Sequence, residues 1–154
     1  MRSAAGIQKG FTLIELVVAM VIIALLAGIA IPSYMESVRK AKRNQAQIAV
    51  TGLAHALERY FTNCNTYNGS AAAPCAATID ASNVPTIYPA NVPQTGTAFY
   101  ALTVAIPTGG ASYTITASAV TGGQMDGDKC GNFTYTSDGL KGVTGTAAVT
   151  DCWK

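Results

Sequence analysis

An apolar run near the beginning of the chain dominates its hydrophobic pattern. The run extends from Phe11 to Ile31 and is interrupted only by Thr12 and Glu15. As a helix, a run of this length can cross a hydrocarbon layer roughly 30 Å thick. A carboxylate at the centre of such a span costs roughly 2.5–3.5 kcal/mol, and Glu15 lies near one end of it. The run is therefore a candidate membrane helix, and Glu15 is a candidate functional residue.

Beyond this run the apolar residues become periodic. They recur at helical spacing, which predicts an amphipathic continuation of the helix that packs one face on a globular head. Asn63 and Asn65 are the candidate stop signals. The predicted buried stripe consists of Tyr34, Val38, Ala41, Ile48, Leu53, Leu57 and Tyr60.

Two residues weaken the predicted helix near its middle. Pro32 cannot donate a hydrogen bond to the carbonyl of Gly28, at a cost of about 3 kcal/mol in a regular helix. Gly28 itself costs about 1 kcal/mol relative to alanine. Pro32 is therefore expected to interrupt the helix, as a kink where a membrane helix would leave the bilayer.

The last third of the chain shows the alternation of strands. Apolar side chains alternate over 100–106 and 113–119 around a Pro-Thr-Gly-Gly turn, which predicts an antiparallel hairpin. Residues 133–137 form another candidate strand, and Asp138-Gly139 is a strong two-residue hairpin signal before a return over 140–143. A last short strand is predicted over 147–152.

These elements predict an α+β fold, in which a long N-terminal apolar helix packs on an antiparallel sheet. The apolar helix is assigned to residues 11–32, its amphipathic half to 33–62 and the globular head to 63–154. Between the helix and the sheet, residues 63–97 lose regularity. A loop this long in a compact domain is usually functional or pinned. It contains four prolines, Pro74, Pro85, Pro89 and Pro93.

The four cysteines indicate that the head lies in an oxidising compartment. They allow three pairings, and we favour Cys64–Cys75 and Cys130–Cys152 because these close local loops. Each bridge is expected to stabilise the head by about 3 kcal/mol. A zinc site is disfavoured, because the cysteines have no C-x-x-C spacing and His55, the only histidine, lies within the predicted helix.

The sequence gives little support for catalysis. It has no Gly-rich phosphate loop, no G-x-S-x-G and no H-E-x-x-H. Asp126-Gly127-Asp128 could offer oxygens to calcium, but the other ligands of a recognisable loop are missing, and a tight turn before Cys130 is preferred. No cofactor, no metal and no enzymatic activity are expected.

The run Gly10-Phe11-Thr12-Leu13-Ile14-Glu15, followed by an uncharged apolar helix, resembles the type IV pilin and prepilin family. The resemblance implies that residues 1–10 are a leader peptide, removed by a membrane peptidase that cuts between Gly10 and Phe11. It also implies N-methylation of Phe11, packing of the apolar helix into a filament core, and local unwinding at Gly28 and Pro32. Segments 58–61, 65–67, 130–133, 139–142 and 152–153 look most like the minor-pilin branch.

The resemblance further implies where the protein acts and with which partners. The precursor would sit in the inner membrane with a periplasmic head and meet a prepilin peptidase/methyltransferase and an assembly platform. The mature chain would join other pilin subunits in an extracellular pilus, through Phe11 and Glu15, and serve adhesion or twitching motility. Removing the leader changes ten basic and eight acidic residues to eight of each. A neutral mature chain gives no electrostatic case for a nucleic-acid partner.

Two alternatives remain beside the structural pilin. A pseudopilin of a type II secretion system shares the N-terminal motif, although the disulfide-closed C-terminus favours the pilin, because the major pseudopilin instead carries a calcium-binding acidic loop. A membrane-anchored enzyme or ligand-binding module is the other alternative, and it is disfavoured because no site for it is found.

Overall fold

The computed structural model describes residues 10–69, 75 and 87–153. Residues 1–9 of the predicted leader, and Pro74 and Pro85 of the predicted loop, lie outside the described residues. The chain divides into two compact units, Met1–Val38 and Arg39–Lys154. Each unit is described by itself below.

One long helix, α1, extends over Leu13–Cys64. It ends at Cys64, two residues beyond the predicted limit. The next residue, Asn65, has a φ of 54°, in the left-handed region that terminates helices. The amide of Asn65 still donates to the carbonyl of Phe61, at 2.7 Å. Asn65 was one of the two predicted stop signals.

Pro32 does not end the helix, because α1 is continuous through it, and the predicted kink there stays a prediction. Proline removes one backbone donor and displaces one carbonyl, whereas the turns on either side keep their own hydrogen bonds. Prolines are tolerated in the same way within membrane helices, where local adjustment restores the freed backbone groups.

The second unit contains a five-stranded antiparallel sheet with strand order β1-β2-β3-β4-β5. Each strand pairs with the next along the chain, so the sheet is a meander. The predicted hairpins are confirmed, and Gly139 turns between the last two strands with a φ of 80°. The strands are β1 Asn91–Val92, β2 Tyr100–Ala105, β3 Thr114–Ala119, β4 Phe133–Thr136 and β5 Lys141–Val143.

The predicted strand over 147–152 is wrong. Its last four residues form a short helix, α2, at Val149–Cys152. No side chain caps the start of α2. The amide of Ala147 instead donates to the carbonyl of Lys129 at 3.0 Å, so contacts from another part of the head set the course of this segment. Strand β1 was not predicted, because two residues carry no readable alternation.

The core of the second unit lies between α1 and one face of the sheet. Val50, Leu53 and Leu57 of α1 are fully buried against β2, β3 and β4, which contribute Tyr100, Ile115 and Phe133. The predicted stripe is partly wrong, since Ile48 is 61% exposed and Tyr34 is 71% exposed. The buried face of α1 instead comprises Arg43, Ala46, Gln47, Val50, Leu53, Ala54, Ala56 and Leu57. The α+β fold, with a long N-terminal helix and an antiparallel sheet, is confirmed.

Candidate assembly site

The first turn of α1 contains Glu15, one of the predicted assembly residues. Thr12 precedes the first helical residue, and its hydroxyl accepts a hydrogen bond from the backbone N–H of Glu15 at 3.3 Å. Glu15 is the third helical residue, so Thr12 and Glu15 have the spacing of a capping box. A carboxylate in this turn is also favoured by the positive end of the helix dipole. Glu15 therefore lies where a carboxylate favours helix initiation.

Gly10 and Phe11 lie just before α1, and both are exposed. Phe11 exposes 83% of its surface. A Cβ added at Gly10 would meet no heavy atom within 4 Å. The fold therefore does not require glycine at position 10 for reasons of space.

The helix that follows exposes its apolar side chains. From Phe11 to Ile31, the large apolar side chains expose between 46% and 83% of their surface. Among the described residues, α1 is the one helix long and apolar enough to cross a membrane. An apolar surface of this extent marks a membrane or protein contact. Gly28 and Pro32 both lie within α1, and a Cβ at Gly28 would enter open space.

A buried ion pair joins α1 to the loop before Cys130 in the second unit. The Arg43 guanidinium donates from Nε to Oδ1 of Asp128 at 2.8 Å and from Nη2 to Oδ2 at 2.6 Å. Both residues are almost fully buried. Burial alone would raise the pKa of Asp128, but hydrogen bonds from Arg43 and from the Cys130 amide outweigh it and hold the pKa below its ordinary value.

The lowered pKa of Asp128 predicts a loss of stability in acid. The carboxylate binds a proton more readily in the unfolded chain, so its contribution is complete at neutral pH and declines as the pH falls below about 4. We therefore expect the free energy of unfolding to decrease as the pH is lowered from neutral to acidic values. The double variant Arg43→Met/Asp128→Leu should show a shallower decrease, measured by urea unfolding at neutral and acidic pH. Equal acid slopes in both proteins would contradict this prediction.

Two disulfides hold the head, Cys64–Cys75 and Cys130–Cys152. The pairing is the one that the sequence favours. Cys64 is the last residue of α1, and the Tyr60 hydroxyl donates to the Cys75 carbonyl at 2.7 Å. Cys130 and Cys152 are buried, and they connect the loop before β4 to α2.

A group of hydrogen bonds around Glu58 of α1 was not predicted from the sequence. The carboxylate of Glu58 accepts hydrogen bonds from the hydroxyls of Tyr67 and Tyr113, both at 3.0 Å. Burial, followed by the hydrogen bond to Glu58, raises the pKa of Tyr67 to about 12. The same causes raise the pKa of Tyr113. Both hydroxyls therefore remain protonated donors at physiological pH.

The turn preferred for 126–128 is present, with Gly127 at a φ of 68°. Asp126 accepts from the amide of Gly122 at 2.7 Å, whereas Asp128 is engaged by Arg43. The described residues contain no group of three or more histidine, cysteine or acidic side chains suited to a metal. His55 lies exposed on α1.

Sequence reasoning missed the partner of Arg43, since the two residues are far apart in the chain and nothing in either segment points to the other.

Comparison with known proteins identifies the family. Residues 32–134, more than half of the chain, match the family model described as type IV minor pilin ComP, DNA uptake sequence receptor. The chain belongs to this family of type IV minor pilins. Residues 7–31 of the pilin also match the prokaryotic N-terminal methylation motif, which includes Gly10, Phe11 and Glu15.

Individual relatives include a fimbrial protein and a type II secretion protein. The pilin is 37% identical to fimbrial protein EcpC of Eikenella corrodens over 79 residues, which are 51% of this chain and 52% of EcpC. It is 38% identical to the type II secretion system core protein G of Pectobacterium carotovorum over 60 residues, 39% of this chain and 38% of that protein. These matches therefore span about half or less of each relative.

A solved type IV pilin from Shewanella oneidensis is also similar. It has 17% sequence identity and a TM-score of 0.47, over 75% of this chain and 97% of that chain. The family assignment is based on the sequence matches.

Proposed function

We propose that this pilin is a structural, minor subunit of a type IV pilus. It is made as a precursor, cut between Gly10 and Phe11, methylated at Phe11 and inserted into filaments through α1. The observation that carries the proposal is the exposed apolar surface of α1, which lies within the stretch that matches the methylation motif. Its size requires either lipid or neighbouring helices as a cover. No enzymatic activity belongs to this function.

The proposed route defines the partners and compartments. The oxidised cysteines of the head favour the periplasmic side of the inner membrane before assembly. There the precursor meets the prepilin peptidase/methyltransferase and the assembly platform. In the extracellular pilus, the same apolar surface packs on other pilin subunits. The decisive experiment is detection of the tagged subunit in sheared filaments, and its presence only in the cell membrane would contradict the proposal.

Leader processing is tested by mass spectrometry of the purified subunit. We expect a mature chain that begins at Phe11 and carries one methyl group on its amine. Replacing Gly10 by valine should leave the uncut precursor in the membrane. Because a Cβ at Gly10 has room in the fold, such a failure reports on the peptidase and not on misfolding. Gly28→Ala, which also has room, is the matched control and should be cut normally. An intact Met1 in the native protein would contradict the processing site.

The pseudopilin of a type II secretion system remains the alternative, favoured by the match to core protein G. The two functions differ in where the assembled subunit is found. A pilin is recovered from surface filaments, whereas a pseudopilin is required for export of secreted enzymes. Deletion of the gene followed by assays of both surface filaments and secretion separates them.

DNA reception is a second candidate function, favoured by the description of the matching family. The sequence predicts no nucleic-acid partner, because the mature chain is neutral. Lys129 and Lys141 are nevertheless exposed on the head and could contact phosphates. The test is selection of duplexes from a random DNA library by the purified protein. A preferred sequence bound with a steep salt dependence would support reception, whereas equal weak retention of all duplexes would contradict it.

A further inference from the structure

Three polar side chains are buried among the described residues of the pilin, and all three lie beside the disulfide between Cys130 and Cys152. They are Arg43 and Gln47 of α1 and Asp128 of the loop before β4. Arg43 and Gln47 are four residues apart, so they lie on the same face of the helix. Burying polar groups is costly unless they are fully hydrogen-bonded. Hydrogen bonds from Arg43, through Asp128, and from Gln47 lead to the two cysteines.

One arm of this contact leads to Cys130. The Arg43 guanidinium engages both carboxylate oxygens of Asp128 in a fork. Oδ1 of Asp128 also accepts the backbone N–H of Cys130 at 3.0 Å. Bidentate pairs of this kind fix orientation as well as distance. Helix α1 is therefore linked to the Cys130 backbone through a single intervening side chain.

The other arm leads directly to Cys152. Nε2 of Gln47 donates to the backbone carbonyl of Cys152 at 2.6 Å. Cys152 ends α2, a four-residue helix without a side-chain cap, and so short a helix has little stability of its own. Contacts from outside α2 must therefore hold it in place, and Gln47 supplies one of them.

Chain entropy alone does not select this disulfide strongly. Each doubling of a closed loop costs only about 0.6 kcal/mol. A wrong bridge between Cys75 and Cys130 would close a loop roughly two to three times longer than the loop closed by Cys130–Cys152. The additional loop entropy would disfavour the wrong bridge by only about 1 kcal/mol. The selectivity must come mainly from structure that places the correct thiols together.

We propose that Arg43 and Gln47 are positioning residues for the C-terminal disulfide. Together with Asp128 they hold the thiols of Cys130 and Cys152 side by side before the bond forms. An external disulfide oxidant, such as oxidised glutathione, then takes up two electrons and is released as two thiols. The two cysteine thiols lose their protons and form one S–S bond. The surface of α1 thereby selects the pairing at the C-terminal end.

The proposal is tested with the full chain in detergent, equilibrated with reduced and oxidised glutathione. Peptide mapping gives the equilibrium constant for each bridge, and Cys64–Cys75 serves as an internal reference. Gln47→Leu and Arg43→Met should each lower the constant for Cys130–Cys152 by roughly tenfold or more, equivalent to about 1.4 kcal/mol. The constant for Cys64–Cys75 should remain within about twofold. Arg59→Met, which changes an exposed arginine of the same helix, is the matched control and should change neither constant.

Two results would overturn the proposal. Unchanged equilibrium constants in both variants would show that the Cys130–Cys152 bridge forms without help from Arg43 or Gln47. Parallel losses at both bridges would show that the substitutions unfold the head as a whole. Gln47→Leu is the more informative variant, because it leaves no buried charge behind and is expected to fold.

Discussion

Replacing Glu15 by alanine is expected to lower entry of the pilin into filaments by roughly tenfold or more, while membrane insertion and leader cleavage continue. After cleavage, the Phe11 amine has a reference pKa of about 7.7–8.0 and is largely cationic near neutrality. A carboxylate in apolar surroundings is costly unless a cation lies beside it. We propose that the terminal amine of a neighbouring subunit supplies this cation. The resulting ion pair stabilises one axial offset between neighbouring helices relative to the others.

Pairing of Glu15 with the amine of its own chain, four residues away, is the competing explanation. A further explanation is that Glu15 stabilises the start of α1 together with Thr12, because the two residues have the spacing of a capping box. Glutamine at position 15 keeps the ability to cap the helix but removes the charge. Thr12→Ala removes the capping oxygen but keeps the charge.

The experiment is competition between variant and tagged wild-type subunits, with each measured in sheared filaments and in the membrane. Both Glu15→Ala and Glu15→Gln should be depleted from filaments, and Thr12→Ala should enter at close to the wild-type level. Normal entry of Glu15→Gln would contradict a role for the charge. Accumulation of uncut precursor would assign Glu15 to recognition by the peptidase.

Removing the carboxylate of Asp128 is expected to destabilise the head by about 3–5 kcal/mol. Asp128→Ala leaves the Arg43 guanidinium buried without its counter-ion and also removes the acceptor for the Cys130 amide. Trp153, the only tryptophan, is buried against Phe133 and reports unfolding by its fluorescence. Denaturant unfolding in detergent, with the disulfides intact, measures the change.

Two further variants separate loss of the pair from loss of a side chain. Asp126→Ala, two residues away on an exposed turn, should cost less than about 1 kcal/mol. Arg43→Met/Asp128→Leu removes both charges and should recover much of the stability, because a well-packed apolar pair often replaces a buried ion pair without loss. A double variant no more stable than Asp128→Ala would contradict the importance of the unpaired charge.

The sequence predicted those parts of the fold that local patterns encode. Alternation located β2 to β4, the Asp138-Gly139 turn located β5, and the long apolar run located the first half of α1. The buried face of α1 was misplaced because hydrophobicity favoured Ile48, whereas the fold buries Arg43 and Gln47. Those two polar residues are accommodated only by partners from the distant C-terminal loop, which no local pattern reveals.

The C-terminal segment illustrates the same limit. Residues 147–152 contain valine and threonine, which favour a strand, yet Val149–Cys152 is helical. A disulfide, the Gln47 side chain and the carbonyl of Lys129 hold this segment and override its weak local preference. The cleavage and methylation residues, in contrast, can be proposed from the sequence because the motif is contiguous, and they stay predictions.

The edge strands of the sheet are short, which affects how the heads interact when they are close together. Strand β1 has two residues and β5 has three, and the indole N–H of Trp153 donates to the carbonyl of Gly142 on β5 at 2.9 Å. Long open edges invite other strands to pair and lead to aggregation. The heads of such a protein can be drawn close together by their helices while their sheets stay separate. Edge strands this short therefore offer a neighbouring head little backbone with which to extend the sheet.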